Sequence, residues 1–303
     1  MIQKIAKLVY LSRLEIIIAA LSLGCISTAM LIRAINPINY QYAQLTSSWV
    51  MPACVLFLIV MLFFAGYLKS FMPFRGRLLM TVLLVSLPFV SGFAGEGPIL
   101  LTPFHTIDAW LLHVDKLMGF STNAIMNSAH KYPWFVSTLN YAYGSLFPLQ
   151  MITVPILLTL FGHYDTMKRL AFAMTLGSII AGIIYFIWPT TGPASVVHNQ
   201  YFAQSSYELV ARFKAIHNNL LPPSSKGMGL IAFPSCHVFY ACVLTIMMRP
   251  IKFIFIPMIL LNTLLIIATM ALGYHYLADV IARIILALVT IKISKFKIYR
   301  SVS

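Results

Sequence analysis

Charge is scarce in this sequence. Of 303 residues only 9% are Asp, Glu, Lys or Arg, and just 7 of them are acidic. An ordinary soluble domain carries about 25%. A water-soluble fold of this size needs a polar exterior, so the shortage excludes a soluble enzyme. It also excludes disorder, which requires low hydrophobicity and high charge. Cysteine is sparse too. Cys25, Cys54, Cys236 and Cys242 lie in or beside apolar runs with no CxxC-type spacing. They read as small membrane hydrophobes, without disulfides or zinc. The sequence has no P-loop, dinucleotide fingerprint, HExxH motif or usable internal repeat, so neither cofactor nor metal is expected.

What is abundant is apolar surface. Hydrophobic residues make up 60% of the chain, and the mean hydropathy is +0.88. The class this leaves is an all-α, polytopic membrane bundle. Apolar runs long enough to be spans cover about Leu14–Ile35, Trp49–Ser70, Leu78–Gly95, Trp134–Phe161, Arg169–Trp188, Ser235–Met248, Phe253–Leu272 and Tyr276–Ile293. The expectation is therefore about eight transmembrane helices. Lys4, Lys7 and Arg13 flank the first run as they would a signal peptide. Its uncharged stretch is too long for one, so a retained helix is expected. Residues 96–133 are not a clean span. There Ile107, Trp110, Leu111, Val114, Leu117 and Met118 recur at helical spacing, which predicts one amphipathic helix lying along the interface. Residues 189–232 are too polar to span and long for a connector.

The net charge of +14 would suggest nucleic acid in a soluble protein. In a membrane protein it reads first as topology, with no nucleic-acid partner. With the N-terminus inside, segments 1–13, 69–77, 162–169, 249–252 and 292–303 carry fourteen of the 21 basic residues. That asymmetry fits the positive-inside rule and places both termini in the cytoplasm. Trp49, Trp134 and Trp188 then fall at outer helix ends, and Trp110 on the outer amphipathic helix, as an aromatic belt would.

Ionisable groups inside membranes are costly, so the few present are informative. His275 and Asp279 are four apart, and on one helix they share a face. A carboxylate on one imidazole nitrogen raises the basicity of the other, which suits a nucleophile or general base. An interfacial histidine with an unrelated acid one turn on is the plainer alternative. Phe233-Pro234-Ser235-Cys236-His237 is a helix start. Its N–H groups, with Ser235, could hold a phosphate, and His237 could pass a proton to a leaving oxygen. A plain N-cap beside an interfacial histidine accounts for it equally. All four side chains fall on the outer side.

Phe-Pro-Ser-Cys-His followed by Gly-Tyr-His-Tyr-Leu-Ala-Asp, with 38 residues from His237 to His275, resembles two signature motifs of the type-2 phosphatidic acid phosphatase/haloperoxidase superfamily. The form is similar to its inositol phosphorylceramide synthase (inositolphosphotransferase) branch, and the resemblance covers about residues 134–295. It departs from the family pattern at three points. The basic Lys-x6-Arg-Pro motif is missing near Trp188-Pro189-Thr190-Thr191-Gly192-Pro193-Ala194. Thr269 stands where an arginine is usual. Cys236 replaces a glycine.

The resemblance implies a catalytic set of His275 as nucleophile, Asp279 as its orienting acid and His237 as proton donor and acceptor. Ser235, Cys236 and Arg283 would bind substrate. The substrate would be a phospholipid or lipid phosphate at the outer (periplasmic, exterior or lumenal) face. Arg283, four residues after Asp279, either binds phosphate or pairs with Asp279. Arg212, Lys214, His217 and Lys226 are further basic candidates, each more simply a solvated loop residue. Transfer to a lipid hydroxyl is favoured over hydrolysis by the missing basic motif. A transporter, the competing class, would place charge near the midplane. Asn140, Tyr141, Tyr143, Gly144, Ser145 and Gln150 read as helix packing. The organisation expected is three N-terminal helices in 1–95, an interfacial segment in 96–133, and a catalytic five-helix core in 134–303 with the outer loop 189–232.

Overall fold

The structure is a computed structural model and describes residues 11–35, 50–94, 102–217 and 236–295. Among these residues the chain forms helices and no strand. In order they are α1 (Arg13–Ile35), α2 (Val50–Phe71), α3 (Pro73–Ala94), α4 (Asp108–Leu117) and α5 (Thr122–His130). Then come α6 (Pro133–Leu160), α7 (Tyr164–Ile187), α8 (Gln204–His217), α9 (Cys236–Met247), α10 (Lys252–Ala271) and α11 (Leu277–Lys295). A 3₁₀ turn, Pro193–Ser195, follows α7, and a π turn, Leu146–Gln150, interrupts α6.

Apolar runs of this length become helices because lipid cannot hydrogen-bond the backbone. Each of the eight apolar runs falls on a helix. Among the described residues three helices are long and apolar enough to cross a membrane: α6 with 28 residues, α7 with 24 and α10 with 20. Helix α9 is a shorter apolar helix, and the Val55–Phe71 part of α2 is apolar as well. The outward faces carry large apolar side chains at helical spacing. Phe253, Ile256 and Leu260 of α10 are each about two thirds exposed, a stripe that only lipid or a partner could cover.

One expectation is corrected. The segment 189–232 is not loop throughout, because Gln204–His217 is helical, with Arg212 and Phe213 buried. Helix α4 forms where the periodicity places it, with much of its apolar stripe left uncovered by protein. Trp110, Leu117 and Met118 are exposed, while Asp108, Leu111 and Asp115 are buried. The acids can be the inner face because each is met by several donors, which offset the cost of burying a carboxylate.

The chain divides into two compact units. One comprises Met1–Gly97, Met151–Leu176 and Thr290–Ser303. In it α3 packs against α1, α2 and the last part of α6. Polar pairs tie the apolar helices together, with Thr81 Oγ1 2.7 Å from Thr159 Oγ1. The α2–α3 turn closes at Gly76, where a Cβ would fall 2.4 Å from the backbone nitrogen of Lys69.

The other unit comprises Pro98–Gln150 and Gly177–Val289. There α10 packs against α5, the first part of α6, and α9. Ala129, Leu139, Ala268, Ala271 and Leu272 form one core, with Tyr143 and Tyr274 against it. Met126, Ala194, Val197 and Phe202 form a second. Gly177 lets α7 approach α9, since a Cβ there would lie 2.0 Å from the Phe239 ring.

Candidate active site

The second unit assembles the candidate site at the junction of α10 and α11. Helix α10 ends with Leu272 as its C-cap, and Gly273 follows at φ +77°. The Gly273 N–H donates to the Met270 carbonyl, and the Tyr274 N–H to the Thr269 carbonyl, both at 3.0 Å. These two bonds are those of a Schellman cap, which glycine favours because it has no Cβ to strain. The His275 N–H also donates to the Thr269 carbonyl, at 2.9 Å. His275 therefore precedes α11 and is not part of it, unlike a histidine on the same helix face as Asp279. The two side chains still meet, with Nδ1 2.8 Å from Asp279 Oδ2 and both buried. The approach is an ion-pair distance rather than an aligned hydrogen bond, and such alignments often tighten only when substrate binds.

Helix α11 is held at its start by an acid from another helix. Asp115 of α4 accepts the Leu277 N–H on Oδ2 at 3.0 Å and the Ala278 N–H on Oδ1 at 2.9 Å. Two of the free donors at the helix N-terminus are thus satisfied by a carboxylate. Burial, together with the charge of Asp279, pushes the Asp115 carboxyl up, and the two donated bonds pull it back. Two turns earlier on the same face, Asp108 receives Tyr276 Oη at 3.0 Å, the Gly192 N–H at 3.0 Å, and the Thr191 N–H and hydroxyl. Burial raises this carboxyl too, against the same kind of opposition. The two acids of α4 thus hold Thr191-Gly192 and Tyr276-Leu277-Ala278, the last three lying in sequence between His275 and Asp279. Asp115→Ala leaves two helix-end donors without their carboxylate and should cost about 1–2 kcal/mol. A melting temperature lower by several degrees checks this.

His237 lies in the first turn of α9 inside an aromatic box. Its ring stacks on Tyr143, with centroids 4.0 Å apart and planes at 14°, and Phe147 meets it edge-on at 5.0 Å. Tyr143 stacks in turn on Tyr274 at 4.7 Å. Tyr143 Oη lies 3.2 Å from His237 Nδ1. That contact occupies one ring nitrogen and leaves Nε2 available. His237 is within Coulombic range of His275. Arg283 is almost wholly buried and within Coulombic range of Cys236, Asp279 and Tyr240.

Of the six residues singled out from the sequence, Cys236, His237, His275, Asp279 and Arg283 come together here. Ser235 lies outside the described residues, as does Lys226. Arg212 is buried on α8 rather than solvated, while Lys214 is exposed. Thr269, in the place of a family arginine, spends its hydroxyl on the Ile266 carbonyl at 2.7 Å. Among the described residues no group of His, Cys, Asp and Glu could hold a metal ion.

Sequence reading missed three contributors. Tyr143 was assigned to packing, and only the tertiary fold brings it to His237. Asp108 and Asp115 lie in the interfacial segment 96–133, to which the sequence assigns no chemistry. Their seven-residue spacing, with Leu111 between them, was a legible sign of one face.

The fold and the site define a class: an all-helical membrane protein with buried imidazole, carboxylate and guanidinium groups gathered at helix ends. A family model matches residues 109–293, which takes in α4 through most of α11. The chain belongs to the PAP2 superfamily. That superfamily generally comprises phosphatases and phosphotransferases, which points to membrane-associated chemistry on a lipid phosphate. No curated protein and no solved structure matches the chain.

Proposed function

We propose that the protein transfers a phospho-head group between lipids through His275, Asp279 and His237. The reading sets these residues in an eight-span bundle with both termini cytoplasmic and the site facing the outer side. The charge asymmetry of the loops supports that orientation. The observation that carries the chemistry is the buried His275–Asp279 contact of 2.8 Å. Asp279 on Nδ1 leaves the lone pair on Nε2 and stabilises the positive charge that develops.

In the proposed cycle Nε2 of His275 attacks phosphorus and the ester P–O bond breaks. The leaving alkoxide takes its proton from His237, giving a phosphohistidine and a free lipid hydroxyl. His237 then removes a proton from the acceptor hydroxyl. That oxygen attacks phosphorus, the P–N bond breaks, and His275 is restored. Tyr143 keeps His237 oriented throughout. Ser235 and the backbone N–H groups at the start of α9 would receive phosphate oxygens.

Arg283 is the cation proposed to balance the phosphate, since the basic Lys-x6-Arg-Pro motif has no counterpart. Arg283→Gln should then lower kcat/KM by about 10²-fold or more while the folded yield is kept. Loss of folded protein, with the surviving fraction turning over normally, would make Arg283 a structural partner of Asp279 instead.

Transfer is preferred to hydrolysis on the similarity of the Phe-Pro-Ser-x-His-Val and His-Tyr-x2-Asp forms to the inositolphosphotransferase branch. Purified protein incubated with a labelled phospholipid panel, with and without ceramide or diacylglycerol, decides between them. Movement of the labelled head group to the added acceptor is the expected result. Release to water alone would make the protein a lipid phosphate phosphatase. Turnover of no substrate would favour a non-enzymatic lipid transporter.

A further inference from the structure

A second polar cluster lies in the other unit, apart from the histidines. Glu15 of α1, Lys69 of α2, Arg77 of α3, and Tyr164 and Lys168 of α7 converge there. Glu15 is buried and fully engaged. Lys69 Nζ reaches its two carboxylate oxygens at 2.8 and 2.9 Å, Tyr164 Oη donates to Oε1, and the Ser12 N–H donates to Oε2 at 2.7 Å. Around the Tyr164 ring stand three cations. Lys168 Nζ is 5.1 Å from the centroid, Lys69 Nζ 5.5 Å, and the Arg77 guanidinium carbon 5.9 Å.

The charges do not balance inside the cluster. Its one buried carboxylate is taken up by Lys69. Lys168 reaches Asp165 at 2.6 Å, but that carboxylate is 81% exposed and screened by solvent. Lys69 and Lys168 are each only 8% exposed. Lys69 is neutralised by Glu15 and Lys168 reaches Asp165, so the excess is one positive charge, which falls at the edge of the cluster where Arg77 is exposed, and the ring quadrupole offsets only a small part of it. An anion held among them would remove the excess.

The surroundings say what kind of anion. Phe71, Met72 and Phe74 lie in sequence between Lys69 and Arg77, at the α2–α3 turn, and all three are exposed. Phe161, three residues before Tyr164, is 52% exposed. A soluble anion has no use for an apolar rim, whereas acyl chains do.

We infer that this cluster binds the phosphate of an anionic phospholipid, with its acyl chains against Phe71, Phe74 and Phe161. By the loop charges the lipid belongs to the cytoplasmic leaflet. The site does not depend on the proposed phosphotransfer, so either can fail without the other.

The test uses the full chain, delipidated in neutral detergent, and native mass spectrometry with dioleoylphosphatidylglycerol or dioleoylphosphatidylcholine. Wild type should retain the anionic lipid about tenfold better than the zwitterionic one, and Arg77→Gln/Lys168→Gln should lose about that factor. Binding at the candidate active site is common to both chains and cancels in the comparison. Phosphatidylglycerol should also raise the melting temperature of wild type more than that of the double variant. Equal retention of the two lipids by wild type, or equal phosphatidylglycerol retention by wild type and variant, overturns the inference. Inorganic phosphate stabilising wild type as well as phosphatidylglycerol does overturns the lipid assignment. If the double variant does not fold, Arg77→Gln alone, at an exposed position, must still lower retention; unchanged retention overturns the inference.

Discussion

His275→Ala abolishes turnover in detergent, and Asp279→Asn lowers it by about 10⁴-fold; these are the largest effects expected. The alanine variant has no nitrogen to attack phosphorus, so nothing takes over the covalent step. The Asn variant keeps the shape but loses the charge 2.8 Å from Nδ1. Its amide can hold the wrong tautomer, and a comparable change in a Ser-His-Asp triad costs about 10⁴. Because Asp279 is buried at the start of α11, the folded fraction has to be measured beside the rate. A melting curve near wild type with lost turnover fits a catalytic role. Normal turnover in either variant would sink the assignment, whatever the stability.

Gly273→Ala should be nearly as severe, through geometry rather than chemistry. Gly273 has φ +77°, which costs an L-residue with a side chain roughly 1–2 kcal/mol. The added Cβ would lie 2.5 Å from the Phe202 ring and 2.7 Å from Met126 Sδ. Relieving such overpacking costs about 1–3 kcal/mol more. The loss should therefore appear as a melting temperature lower by several degrees. His275 is only two residues on, and its N–H hangs from the same Thr269 carbonyl as that of Tyr274. A shift of about 1 Å at a reacting group can cost about 10²-fold in rate. The prediction is thus a joint loss of stability and turnover. A variant as stable and active as wild type would show that the cap does not position His275.

Helices were the most legible part of this protein. Each apolar run became a helix because the pattern reports burial in lipid, and lipid tolerates no unpaired backbone. The periodicity of Ile107–Met118 locates α4 but does not say that Asp108 and Asp115 are its protein-facing side. Hydropathy scores a carboxylate as outward, and it cannot register that Asp108 meets Thr191, Gly192 and Tyr276. Residues 204–217 read as loop because their polar composition carries no long apolar stripe. The pairing of His275 with Asp279 was anticipated for a reason that was half right. The spacing suggested a shared helix face, whereas a Schellman turn followed by a new helix makes the contact.

The sequence by itself determined the solvent, the helical class and the short list of residues from which the candidate site is drawn. Those properties follow from composition, run length and the rarity of ionisable groups in apolar surroundings, all local or summed along the chain. Tertiary structure decided which groups serve which. It set Tyr143 on His237 across 94 positions and Asp115 at the start of α11 across more than 160. It also gathered three cations on Tyr164 around a single buried carboxylate. Such contacts depend on how helices pack, and no spacing within one helix encodes them.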